Sequence, residues 1–117
     1  MSTITVTNIK ATGETASRAV SGVAAASCKV DQSSTQSFKS SSNVSSLTDG
    51  GTGITTVTIT NAMSNTNFAM AGSMNTSRYN YSVAVLTSST FKMNVRNDAA
   101  TFVDTDEVSG ISYGDLA

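Results

Sequence analysis

The stretch Thr90-Phe91-Lys92-Met93-Asn94-Val95-Arg96 decides how this chain reads. Phe91, Met93 and Val95 alternate with Lys92, Asn94 and Arg96. A period of two belongs to an extended strand with one dry face and one wet face. A helix would space its apolar residues three and four apart. The same period recurs in Thr56-Val57-Thr58-Ile59-Thr60, where Val57 and Ile59 share a side and the threonines share the other. Over 67–74, Phe68, Met70 and Met74 fall on one face with Gly72 between them. Over 78–86, Tyr79, Tyr81, Val83 and Val85 line up together. These segments predict strands whose apolar sides meet in one interior.

Turn signals frame them. Asp49-Gly50-Gly51-Thr52-Gly53 permits positive φ at several positions, and strand-like segments flank it at 43–48 and 54–60, so it predicts a hairpin. Residues 27–31 read as a strand. The serine-dense stretch 32–42 reads either as a polar loop or as an edge strand anchored by Phe38. Residues 61–67 form a polar connection through Met63, residues 97–105 a loop holding Phe102 and Val103, and 108–113 a closing strand. Near the start, residues 3–10 alternate as a strand, with Ile4 and Val6 opposite Thr3, Thr5 and Thr7. Residues 15–26 stay open between two readings. One is a short helix with Thr15 as N-cap and a small stripe of Ala16, Ala19, Val20 and Val23 suited to close contact with identical copies. The other is an irregular linker, because Gly22 interrupts the pattern.

Seven to nine short strands result, with no βαβ alternation. The fold class is all-β: a small antiparallel β-sandwich or barrel-like domain with an extended N-terminal segment. The expected division is 1–26 as an N-terminal attachment and assembly segment and 27–117 as a compact β domain.

Composition agrees. The chain has 117 residues, which is one domain's length. It holds 20 Ser and 18 Thr but only 13% charged residues. Such a chain lacks the charge excess of ordinary disorder and suits sheets with hydroxyls on their wet face. The apolar side chains are small, with no Trp, and a thin core of this kind gains from a partner subunit. Net charge is −1 and the seven basic residues are scattered, so no nucleic-acid footprint is expected. No apolar run reaches the ~20 residues of a membrane span. The opening Met1-Ser2-Thr3-Ile4 lacks a basic region followed by an apolar core, so no secretory signal is expected and synthesis is expected in a cytoplasm.

The chemistry-bearing residues are few. With no His, the usual general base, the common triads and most zinc sites are missing. Cys28 is single and is expected to be a small buried hydrophobe. Gly50-Gly51-Thr52-Gly53 lacks the Gly-Lys-Ser/Thr ending of a phosphate loop. Asp98, Asp104, Asp106 and Glu107 form an acidic cluster without a calcium-loop pattern, and a solvated connection is expected. Tyr79 and Tyr81 are expected in the core rather than on a sugar-binding surface. Asn43, Asn75 and Asn80 each begin a glycosylation pattern of a kind that chance supplies in so Asn- and Ser-rich a chain. No catalytic, cofactor or metal residues are assigned, and the chain is expected not to be an enzyme.

Three segments carry a resemblance. Residues 43–53, NVSSLTDGGTG, residues 56–60, TVTIT, and residues 62–72, AMSNTNFAMAG, together resemble a module of tail-fibre-like proteins of tailed phages, especially marine ones. Val6-Thr7-Asn8-Ile9 and Gly114-Asp115 are similar too. The chain differs where that module has an aromatic strand, here Ser27-Cys28-Lys29-Val30-Asp31, and where it has a proline, here Ser64. The resemblance implies a virion surface protein: a tail-fibre-like or host-surface adhesin module, with a capsid decoration or head-fibre protein as the alternative and a small carbohydrate-binding domain as a second alternative. It further implies a homotrimer. Residues 1–26 are the candidate attachment to other virion proteins, and the loops 61–67, 75–80 and 97–106 are the expected contact surfaces for a host receptor or glycan, since loops commonly carry recognition.

Overall fold

A computed structural model describes residues 2–5, 8–9, 18–19, 24–76 and 79–117. Two short segments, β1 (Asn8–Ile9) and β2 (Arg18–Ala19), pair antiparallel. Eight longer strands build the body: β3 (Ala24–Asp31), β4 (Ser37–Ser42), β5 (Val44–Asp49), β6 (Ile54–Ile59), β7 (Ala69–Met74), β8 (Tyr79–Thr87), β9 (Thr90–Asn97) and β10 (Val108–Tyr113). They form two antiparallel four-stranded sheets packed face to face, a β-sandwich. The front sheet runs β4-β3-β10-β7 and the back sheet runs β5-β6-β9-β8. Among the described residues there is no helix.

The alternating residues of the sequence become the two inner faces. Val57 and Ile59 of β6 and Phe91, Met93 and Val95 of β9 are buried from the back. Ala26, Cys28 and Val30 of β3 and Val108 of β10 meet them from the front. Tyr79, Tyr81, Val83 and Val85 of β8 are half-buried against this core, as are Met70 and Met74 of β7 and Phe38 of β4. Serine-dense 37–42 is therefore an edge strand held by Phe38. Full burial of one such side chain is worth roughly 1.5–3 kcal/mol, so the few large residues dominate.

Corners carry the chain between layers. β4 turns into β5 through Asn43 alone, at φ 54°. Asn43 Nδ2 donates to Ala25 O (2.8 Å), and its Oδ1 accepts from Asn61 N (2.9 Å). A positive φ suits Asn better than most residues because its short amide bonds locally. In the β5–β6 hairpin, Asp49 Oδ1 accepts from Gly51 N (2.8 Å) and Gly50 N donates to Ile54 O (3.0 Å).

A buried polar chain links the layers at one end. Gln32 Nε2 donates to Thr55 Oγ1 (2.9 Å), Thr55 Oγ1 donates to Gln36 Oε1 (2.6 Å), and Gln36 Nε2 donates to Asp49 Oδ1 (2.9 Å).

Two expectations need correction. A helix over 15–26 does not fit Arg18–Ala19 in β2 or Ala24 onward in β3; 15–17 and 20–23 lie outside the described residues. β3 begins at Ala24, and its Ala26 sits in the core. Of the strand expected over 3–10, the described residues show Asn8–Ile9. Residues 2–5 carry no strand, and 6, 7 and 10 lie outside the described residues. Ile4 is 85% exposed.

Tyr81 yields a test. Its hydroxyl is buried with no partner among the described residues, and burial pushes its pKa up, with Cys28 adding to the effect. An unpaired buried hydroxyl costs about 1–3 kcal/mol. Tyr81→Phe is expected to raise stability by about 1 kcal/mol in urea unfolding. A loss of that size would reveal a hydrogen bond to the hydroxyl.

Candidate binding face

The outer face of the front sheet is built from small side chains. Ser27 and Lys29 of β3, Ser40 of β4, Ala71 and Ser73 of β7, and Ser109 and Ile111 of β10 line a shallow groove of about 450 Å³. Period two places them there: each neighbours a residue that faces the core. Ladder pairing sets Ser109 between Lys29 and Ser73, and Ile111 between Ser27 and Ala71. The groove is hollow because hydroxyl and methyl groups stand where longer side chains would fill it.

Its polar equipment is already organised. Ser73 Oγ and Ser109 Oγ lie 3.0 Å apart. Lys29 Nζ bonds Glu107 Oε2 at 3.1 Å, and Lys39 Nζ lies 3.6 Å from Glu107 and 3.8 Å from Asp31. All these groups are partly exposed, so each pair adds little stability. Asp31 is held below the usual carboxylate range, chiefly by the hydroxyl of Ser33 and then by the Ser33 N–H. The floor is mostly apolar surface, with serine hydroxyls and one ammonium group set into it. It can meet a ligand by shape and apolar contact, with a few hydroxyls for hydrogen bonds.

A second hollow of about 310 Å³ lies where the 61–67 connection meets the chain's last residues. Met63, Phe68 and Tyr113 give it apolar walls; Ser64, Asn65, Asn67 and Asp115 give it polar ones. Ser64 N donates to Asp115 O (2.8 Å), and Met63 pairs with Leu116 in an isolated bridge.

The acidic residues do not converge. Asp104 Oδ1 accepts from Gly53 N (2.7 Å). Asp106 accepts from Asn75 Nδ2, and Glu107 faces Lys29 and Lys39. Asp98 is exposed. Among the described residues no three His, Cys, Asp or Glu side chains gather into a metal-binding group. Asn43 and Asn75 use their amides inside the fold, while Asn80 is exposed. The expected contact loops divide: 61–67 borders the second hollow, and 97–106 is pinned by Asn97 and by Arg96, whose guanidinium lies 4.2 Å from the Phe102 ring centre. In the third loop, 77–78 lie outside the described residues.

Cys28 is buried among the core residues, 4% exposed. Burial pushes its thiol up from 9.0 to about 11, and a hydrogen bond from the Gly110 backbone opposes this in part. A thiol is a poor nucleophile until it ionises. Iodoacetamide is expected to label native Cys28 only as fast as the chain unfolds. The raised thiol also sets a sign for alkaline pH. Its contribution to stability is whole below pH 9.0 and declines as pH rises toward about 11. Cys28→Ala should make that decline shallower, and a parallel decline would assign it to other groups.

The groove was not legible in the sequence. Its serines come from four strands far apart in the chain, and each one alone reads as an ordinary wet-face residue.

Comparison of this chain with family models, curated proteins and solved structures gives no match. The architecture defines its class: a small all-β sandwich domain, with an open groove on one face.

Proposed function

We propose that this chain is a non-catalytic structural protein on the surface of a virus particle, a tail-fibre-like or host-surface adhesin module of a tailed phage. The observation that carries the binding half of this reading is the open groove on the front sheet, a mostly apolar surface with serine hydroxyls set into it. The viral half rests on the resemblance of residues 43–53, 56–60 and 62–72 to the phage module. Its partners on this reading are copies of itself, in the trimer that the resemblance implies, other virion proteins reached through 1–26, and a receptor or glycan on the host.

A capsid decoration or head-fibre role is the second reading. The compactness of the eight-stranded body favours it, since strands of six to nine residues make a knob rather than a shaft. As a carbohydrate-binding domain, the chain would use the same groove, with serine hydroxyls and Lys29 facing sugar hydroxyls.

Imaging of purified particles with an antibody against the body strands separates these. Label at the tail tip supports the adhesin role, and label on the shell replaces it with decoration. Particles with no label end the virion reading, and a glycan array with the Ser73→Leu variant as control then tests sugar binding.

A further inference from the structure

We propose that β7 is a self-pairing edge: β7 strands of two copies join antiparallel about a two-fold axis and continue the front sheet from four strands to eight. This inference does not depend on a viral role, and its two-fold dimer is an alternative to the trimer that the resemblance implies.

The sandwich has four edge strands, β4 and β7 in front and β5 and β8 behind. An edge exposes unpaired N–H and C=O groups to any passing strand, and folds blunt it with bulges, charges or proline. The chain has no proline. β4 is bulged at Lys39, which falls between the pairs Lys29↔Ser40 and Val30↔Phe38. β5 is bulged at Ser45, between Val44↔Ile59 and Ser46↔Thr58. β8 is bulged at Leu86, between Val85↔Phe91 and Thr87↔Thr90. β7 has none of these devices. It pairs with β10 without a break from Val108↔Met74 to Tyr113↔Ala69. Its sequence, AMAGSM, carries no charge. Ala69, Ala71, Gly72 and Ser73 are exposed. Among the described residues, β7 bonds no backbone other than β10.

A second copy is the occupant that these facts select. A regular ladder needs an unbulged partner, and among the described residues β7 is the one edge strand of the sandwich that offers it. An uncharged strand meets its own image without like-charge repulsion. A two-fold axis through Gly72 sets Gly72 opposite Gly72, and Met70 opposite Met74 of the second copy. Both methionines are half-buried in one copy, and this pairing covers what they still expose. Ala69, Ala71 and Ser73 on the outer face are too small to block the approach. One six-residue edge buries much less than the ~1,200 Å² of a stable complex, so the dimer belongs to the weak, concentration-dependent class.

Sedimentation velocity of the full chain over a concentration series tests this. The expected parent behaviour is a reversible monomer–dimer equilibrium. Ala71→Lys and Ser73→Lys each place a charge on the edge, and each is expected to raise the dissociation constant at least about tenfold. Ser42→Lys on the bulged β4 edge should leave it unchanged. Circular dichroism checks that each variant keeps its strands. Hydrogen exchange on the parent alone should show β7 amides slowing as concentration rises. A parent that stays monomeric up to its solubility limit overturns the proposal. So does self-association, dimeric or trimeric, that both β7 lysines leave intact, or β7 exchange that is independent of concentration.

Discussion

Gly53→Ala is expected to cost about 3 kcal/mol or more, a large share of the ~5–15 kcal/mol that holds a domain of this size. Two effects add. Gly53 sits at φ +67°, where an L side chain costs about 1–2 kcal/mol. Its new Cβ would also stand 2.6 Å from Val95 O and 2.7 and 2.8 Å from Val103 O and N. These are backbone atoms with no rotamer to escape into. Moving them breaks the bond from Val95 N to Gly53 O (2.8 Å) and strains that from Gly53 N to Asp104 Oδ1 (2.7 Å). Those two bonds fasten the β5–β6 hairpin to β9 and to the 98–107 connection. Gly51 supplies the comparison. It lies at φ +99° with nothing within 4 Å of its Cβ position, so Gly51→Ala carries backbone strain alone. Urea unfolding of the two variants should separate them by at least ~1 kcal/mol, a gap set by the close contacts that Gly51 lacks. Equal losses would show that the close approach at Gly53 contributes nothing.

Phe91→Ala is expected to cost about 3–5 kcal/mol, the usual range for emptying a buried aromatic site. Phe91 is fully buried at the centre of the back sheet. It presses on Gly110 of the opposite sheet, where an added Cβ would lie 3.1 Å from both Phe91 Cε2 and Met93 Sδ. The two positions share one volume, so their substitutions should couple. Gly110→Val alone overpacks the contact at about 1–3 kcal/mol. In the Phe91→Ala background the same valine enters the vacated space. The double variant should be more stable than the sum of the two losses by at least ~1 kcal/mol. Strict additivity would mean that β10 and β9 do not press together at this point.

Much of this was readable in advance at the level of single strands. Phe91, Met93 and Val95 are inward because alternation on a pleated backbone leaves no other arrangement with a dry side. The same holds for Val57 and Ile59. Thr55 is not marked by its sequence, since a threonine in line with Val57 reads as wet, yet it is buried and bonded to Gln32 and Gln36. Those glutamines looked like loop residues for the same reason. Asn43 read as part of a glycosylation pattern and proved to be the corner between the sheets. The acidic residues at 104, 106 and 107 looked like one cluster because they are adjacent in sequence. In the fold each is drawn to a different partner.

The residue pattern alone is enough to show that the chain is all-β, where most of its strands run and which side of each is dry. These are local properties, carried by a two-residue period and by glycine at turns. The tertiary structure alone decided that β10 lies between β3 and β7, which makes the groove and leaves β7 at an edge. That arrangement rests on contacts such as Lys29 with Glu107, 78 residues apart, and Ser112 with Ala26, 86 apart. Strand order is a matter of which dry faces fill one another's space, and no local window of residues contains that information.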